Sequence, residues 1–455
     1  MKHSITRVIV AGILLMGGLA ACDDNLTVPN LNNPSKEDLT SAPSKSVLAA
    51  AVQGIISGQR GLKAGMVGRM GVWGRESYDL RPEEPRPYTD ALIDPLGPVN
   101  GGQLFGGQYT QVAHINAVIA ASENATGITD VERRAVAGFA KTFKADALWQ
   151  VLIGRPLGIG IPLEPDADPT AELSPIAPPA AAVAFILDLY DEAAADLQAG
   201  GTAFPFSLTV GMSDFNTPGS FIPLNRALKA RVLKYDGQWG AALAAIGASF
   251  IDEDGDLSAG AYFNYSTISG DATNGFFGVP TDYAHPRVRD DAQLQPGGEL
   301  DQRALDKTAI MAAPVTTFGI TVTERTDAYK SQTAPLPWIT NEELILMRAE
   351  AQLGNANPGL ALEDVNRIRV RSGGLAALPA AFAGDLLDEI LYNRFMSLFH
   401  QGGFHYLDMR QYDKLNELPR ALPIHKVYLG FPYPLNECLA RDIMSGPECE
   451  EQLGT

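Results

Sequence analysis

The chain has 455 residues, 45% of them hydrophobic and 19% charged, and a formal charge of −18. That composition belongs to an ordinary folded protein and excludes an intrinsically disordered one. The negative charge argues against nucleic-acid binding, because phosphate recognition needs clustered Lys and Arg. It would not repel a neutral ligand such as a sugar or a peptide. The 45 Gly and 31 Pro predict plentiful long loops.

The first residues bear on location. Lys2 and Arg7 precede a short apolar run, Val8 to Leu15, too short to span a bilayer as a mature helix. The run closes on Leu19-Ala20-Ala21-Cys22, the pattern of a bacterial lipoprotein signal. Residues 1–21 are therefore expected to be a leader, with Cys22 lipidated and anchoring the chain to a membrane. No later segment offers about 20 unbroken apolar residues, so lipid is the only anchor expected. Residues 22–45, polar from Asp23 to Lys36, read as a flexible tether.

From there helical periodicity dominates. Gln103 to Ser122 carries Val112, Ile115, Val118 and Ile119 on one stripe. Asp130 to Leu152 follows, with Asp130 read as its N-cap, and then Pro178 to Leu197, stopped by Gly200-Gly201. Two helix–turn–helix pairs come later: Leu224 to Tyr235 with Trp239 to Phe250, and Asn341 to Leu353 with Gly359 to Arg371. Small residues such as Ala227, Ala230, Ala242 and Ala245 let such helices approach closely. The predicted fold is mostly all-α, a tetratricopeptide-like scaffold of helical hairpins over about 103–250 and 339–402. Two stretches break the pattern: Gly58 to Gly102 and Ile251 to Trp338, rich in Gly, Pro, Asp, Thr and aromatics. They read as long loop insertions of the kind that carries function. No Pro- or Ser-rich linker divides residues 46–455, so one folded unit is expected.

No catalytic signature stands out: there is no G-x-S-x-G elbow, phosphate-binding loop or H-E-x-x-H pair. Asp252, Asp254 and Asp256 echo a calcium loop, but Leu257 and Phe263 stand where Gly and Glu are needed. Neither a metal nor another cofactor is expected. The loop aromatics fit ligand binding better, since apolar sugar faces stack on Trp and Tyr. The candidates are Trp73, Tyr78 and Tyr88 in the first insertion, Phe276, Phe277 and Tyr283 in the second, and Trp338 at its end. The alternative for each is an anchor that fixes its loop to the scaffold. Cys438 and Cys449 are candidates for a disulfide in an exported protein, with two free thiols as the alternative.

Several blocks together resemble the SusD/RagB family. They are Ala137 to Leu152 running into Gly154-Arg155-Pro156-Leu157-Gly158, Leu224 to Val232 with Gly237-Gln238-Trp239, and Leu344 to Ala351 followed by Val365 to Arg371. A further block, Asn393-Arg394 to Leu407-Asp408-Met409-Arg410, departs from the family pattern. Asn393, Ser397 and Gln401 replace its usual acids and Phe404 its first Arg, which bears on a local ion-pair network rather than on the fold. The resemblance implies a non-enzymatic, lipid-anchored binder at the outer-membrane surface. It would capture a nutrient, most readily a glycan, and deliver it to a SusC-like TonB-dependent transporter. A lipid-anchored scaffold that binds proteins and a glycan hydrolase are the rival readings.

Overall fold

The computed structural model describes residues 39–164 and 171–454. The expected leader, Cys22 and most of the expected tether lie outside the described residues. Folded structure begins before residue 45, the expected end of the tether: Leu39 is buried and Ser44 caps the first helix.

Of the longer helices, α1 spans Lys45–Trp73, α2 Gly106–Asn124, α3 Asp130–Gly154, α4 Pro179–Gln198 and α5 Pro218–Tyr235. Then come α6 (Trp239–Gly247), α7 (Asn341–Gly354), α8 (Pro358–Arg371), α9 (Leu386–Ser397) and α10 (Phe404–Gln411). Each packs on the next, and α10 returns to pack on α1. The fold is mostly helical, with hairpins of the tetratricopeptide type. Close approach is written into the sequence: a Cβ added at Gly138 of α3 would lie 2.7 Å from Ala193 O on α4. Among the described residues no helix is long and apolar enough to cross a membrane.

Helix ends follow local chemistry. At α3 the cap is Thr129, one residue before the expected Asp130. Its hydroxyl accepts from Glu132 N while Glu132 accepts from Thr129 N, a reciprocal capping box. Helix α6 stops at Gly247, three residues short of the expected Phe250.

The larger correction concerns the first insertion. Residues 58–73 are not loop but the second half of α1. Leu48, Val52, Ile55, Ile56, Met66, Val67 and Met70 recur at helical spacing and are buried. The glycines between them read as breakers, each costing about 1 kcal/mol in a helix. At Gly58, however, any Cβ would collide with the Gln111 side chain of α2. The missing side chain leaves room for Gln111, whose amide donates across the helix pair to Ile55 O at 2.7 Å.

The second insertion holds strands. β2 (Gly260–Phe263) pairs antiparallel with β6 (Leu336–Thr340), closing the insertion at its base. β4 (Thr308–Thr317) and β5 (Ile320–Thr326) form a hairpin. β3 (Asp282–Ala284) pairs with β1 (Ser77–Asp79), so the two insertions meet in a two-stranded sheet. Every sheet among the described residues has two strands.

The ion-pair network questioned by the substitutions at 393, 397, 401 and 404 is present. Asp408 pairs with Arg394 and Lys234, both at 2.7 Å, and Lys234 also pairs with Glu350 at 2.9 Å. All four side chains are buried. Two of the four replacements serve Arg303 instead, which donates to Asn393 Oδ1 at 3.0 Å and Ser397 Oγ at 2.8 Å.

Candidate functional site

The structure turns most of the candidate aromatics inward. Trp73 is 2% exposed, stacked on Phe431 at 4.1 Å with Tyr406 and Tyr428 around it. It is an anchor where α1 ends, and no ring face is free for a sugar. Trp338 lies against Phe143 and Phe263 and donates from Nε1 to Asp146 at 3.1 Å. Tyr88 and Tyr283 are buried as well. Phe276 is half-buried between Tyr329 and His400. Phe277, at 38%, is the most exposed of the seven.

Tyr78 is buried too, but its surroundings differ. Tyr78 and Tyr283 are cross-strand partners on β1 and β3, so alternation puts both rings on one face and Asp79 and Asp282 on the other. Tyr78 also lies against the His285 ring, 4.8 Å between centroids. Both line a cavity of about 360 Å³ whose other walls are Gly319-Ile320-Thr321 and Pro419-Arg420-Ala421.

Those walls are built by two local devices. The first is the hairpin tip, a two-residue turn at Phe318 (φ 50°) and Gly319 (φ 79°). A left-handed Phe is costly, since such turns favour Asn or Gly. Here the Phe318 ring stacks on Tyr88 at 5.2 Å, which holds the tip over the cavity. The second is Arg75, also left-handed at φ 57°, just past the end of α1. Its guanidinium donates to Trp73 O at 2.9 Å, Pro419 O at 2.8 Å and Lys426 O at 3.2 Å. It thereby satisfies a terminal carbonyl of α1 and ties down the segment that carries Arg420.

The electrostatics of the cavity floor are one-sided. Burial pushes the Tyr78 hydroxyl up to about 12, with Arg75 pulling the other way. Burial, reinforced by Arg75 and Arg287, holds His285 well below its ordinary value, so its ring is neutral. Tyr78 Oη and His285 Nε2 have no hydrogen-bond partner among the described residues.

A second cavity, of about 340 Å³, lies between α2 and the C-terminal segment and is lined by Phe105, Tyr109, Ser174, Glu437 and Arg441. Three of its polar side chains are engaged within the protein: Tyr109 Oη donates to Pro162 O at 2.6 Å, and Arg441 holds Glu437 at 2.6 Å and Ser174 O at 2.7 Å, while Glu172 and Asn436 also line it. Beside it Cys438 and Cys449 are joined in a disulfide. No group of three metal-ligating side chains occurs among the described residues. Asp252 and Asp256 accept from backbone N–H groups of their own turn.

Solved structures place this architecture. A SusD superfamily protein from Bacteroides vulgatus superposes with a TM-score of 0.64 at 16% identity, covering 90% of this chain and 99% of that one. The chain has the SusD-like fold. NanU of B. fragilis gives 0.65 at 13% identity, over 93% of this chain and 99% of that one. A laminarin-binding SusD-like protein gives 0.59 at 13%, over 87% and 97%. No protein-family model and no curated protein matches the sequence.

Sequence reasoning named Tyr78 but not the elements that complete its cavity. Arg420 and the hairpin tip carried no motif. The usable signal was Thr317-Phe318-Gly319-Ile320, a turn dipeptide between alternating residues.

Proposed function

We propose that this SusD-like chain is a carbohydrate-binding protein of a nutrient-uptake system, held to the outer membrane by lipid on Cys22 and feeding a SusC-like TonB-dependent transporter. The observation that carries this reading is the SusD-like fold over nine-tenths of the chain, with an open cavity where its two aromatic-rich segments pair. Three of the similar structures are described as carbohydrate or laminarin binders. Fold likeness alone does not fix function, so the cavity has to bear the weight. A site of this size takes one or two sugar rings, near the lower bound of about 300–1,000 Å³ for small-molecule pockets. The purified chain should bind immobilised glycans without cleaving them, and a glycan array followed by product analysis tests both points. Affinity purification from detergent-solubilised outer membranes should recover a large β-barrel protein in near-equal amount. The Cys22→Ser variant should leave the membrane fraction. Purification of the chain alone, with nutrient uptake unaffected by its deletion, would overturn the transport reading.

A protein-binding scaffold is the second reading. It draws on a groove of about 720 Å³ across α4, α5 and α6, whose rim carries Asp188, Asp191, Arg226 and Lys229. Asp191 already pairs with Arg226 at 2.7 Å and Lys229 at 2.6 Å. A partner would therefore meet a rim whose two cations are already paired, and the sugar-binding reading is preferred.

A further inference from the structure

The cavity beside the C-terminal segment is one half of a longer cleft. A neighbouring cavity of about 220 Å³ lies between α1 and the start of α2. Gly102, Phe105 and Gly106 line both. The cleft therefore runs from the outer face of α1, past the first turn of α2, to Pro434 and Asn436.

Much of its wall is bare backbone, and the fold does not explain why. Helix α1 contains six glycines, and four of them answer to a neighbour. A Cβ would lie 2.9 Å from the His114 ring at Gly54, 3.5 Å from Glu76 at Gly71 and 3.9 Å from Phe276 at Gly68, and at Gly58 it would collide with Gln111. Gly61 and Gly65 have no atom within 4 Å of that position, and both line the cleft. Gly106 is equally open. None of the three has a left-handed φ, so backbone conformation does not require glycine there either. A glycine inside a helix costs about 1 kcal/mol against Ala. Glycine with neither a packing nor a conformational reason suits a surface on which a ligand lies directly against the backbone.

The polar groups along the cleft are accessible and free. Gln103, Asn436 and Glu172 are exposed and Arg69 is half-buried, and none of these side chains has a hydrogen bond or ion pair among the described residues. Gln103 and Asn436 each offer donors and an acceptor, Arg69 only donors and Glu172 only acceptors. Glu437 and Arg441 already pair with each other at 2.6 Å. With Arg69 in one half and Glu172 in the other, neither sign of charge is in excess. A sugar hydroxyl donates and accepts at once, and the C–H faces of a sugar ring suit the walls at Tyr109, Leu173 and Pro434. We infer that this cleft holds a neutral oligosaccharide laid on the bare backbone of α1 and α2, with Arg69, Gln103, Asn436 and Glu172 meeting its hydroxyls. The inference rests on the carbohydrate-binding reading above and adds to it a ligand class and a site apart from the Tyr78 cavity. Two adjoining cavities of about 220 and 340 Å³ give room for several rings in a row, where one alone would take a single ring or two.

The test measures binding to the full-length protein in detergent by titration calorimetry. The probes are maltohexaose, laminarihexaose, cellohexaose and a neutral galactan hexasaccharide, with glucose and galactose as single rings and tetraalanine as a short peptide. At least one hexasaccharide should bind at least roughly tenfold more tightly than its monosaccharide, because one ring cannot use both halves of the cleft. Gly65→Leu and Gly106→Leu put side chains into its open space, and each should weaken that binding by roughly tenfold or more. Their thermal midpoints should hold or rise, since Leu is favoured over Gly within a helix. Asn436→Ala should weaken binding by a smaller factor with the midpoint unchanged, since its amide has no protein partner to lose. A hexasaccharide that binds the parent protein and both glycine variants alike sits elsewhere, which overturns the inference and leaves the carbohydrate reading standing. Tighter binding of tetraalanine than of every hexasaccharide overturns it as well. Binding of none of the probes overturns the inference, and silence across a wider glycan array overturns the carbohydrate reading with it.

Discussion

Two buried polar regions of this molecule follow opposite rules. Between α5, α7, α9 and α10, Lys234 and Arg394 face Glu350 and Asp408, two cations against two carboxylates. Where β1 and β3 meet the hairpin tip, Tyr78 and His285 sit over Arg75 with no carboxylate opposite. The first region is closed and neutral. The second borders a cavity and has no carboxylate. Each region also keeps a buried donor without a hydrogen-bond partner among the described residues, Arg394 Nη1 in the first and His285 Nε2 in the second, and such a donor costs about 1–3 kcal/mol. What separates the two regions is therefore how their charges are paired.

The most severe way to break the contrast is to unbalance the closed region. Asp408→Ala leaves Lys234 and Arg394 buried together without their shared carboxylate, and should cost about 3–5 kcal/mol in denaturant unfolding. Burial raises the Asp408 carboxyl, but Arg394 and then Lys234 more than offset that and hold it at about 2. Because its folded value is depressed, the stability it contributes is present above the ordinary carboxylate range. It is lost only as pH falls toward about 2. A loss under about 1 kcal/mol for Asp408→Ala would mean the network is not a structural hub.

Next in size is Trp73→Ala. The ring is stacked on Phe431 and enclosed by Tyr406 and Tyr428, so its removal opens a core cavity and should cost about 3–5 kcal/mol. Affinity for any bound saccharide should change only through that loss of stability. Weakened binding with an unchanged thermal midpoint would return Trp73 to the ligand site.

Both residues show what the sequence could and could not tell. Helical stripes such as Val112, Ile115 and Val118 in α2 were legible because one face of a helix has to be apolar. The blocks that resemble SusD/RagB contain Arg231, Glu350 and Asp408, and the structure places all three in buried ion pairs. The glycines of α1 misled, because a breaker and a close contact look the same until the partner helix is known. The aromatics misled in another way. Trp73, Tyr88 and Trp338 sit in stretches of irregular pattern, but irregular chain also needs anchors, and the heaviest rings serve as them. The donors at Tyr78 and His285 only acquire meaning from strand pairing between residues some 200 apart in sequence.

Glu76 sharpens the comparison because it lies between the two regions. It precedes Tyr78 by two residues, and one oxygen accepts from His400 N at 2.8 Å. Burial raises its carboxyl to about 7, only partly countered by the backbone N–H groups of His400 and His405. The folded state therefore keeps a proton that the unfolded chain releases near 4.5. Stability linked to this group is full below about 4.5 and declines until about 7. Glu76→Gln keeps an acceptor for His400 N and abolishes the ionisation. It should match the parent protein near pH 4.5 and exceed it by about 3 kcal/mol at pH 8. Destabilisation at both pH values would show that the ionised carboxylate is needed for packing.

The smallest expected effect carries the opposite sign. Tyr78→Phe removes one hydroxyl and leaves the ring against His285. In a region that obeyed the rule of the Asp408 network, deleting a buried polar group would leave its partner stranded and destabilise the fold. Tyr78 Oη has no partner among the described residues, so nothing is stranded and one desolvated group is gone. The thermal midpoint should stay level or rise, by an amount equivalent to about 0–1 kcal/mol. A fall in the midpoint of several degrees would instead reveal a structural hydrogen bond at Tyr78 Oη, and this region would then follow the same rule as the Asp408 network.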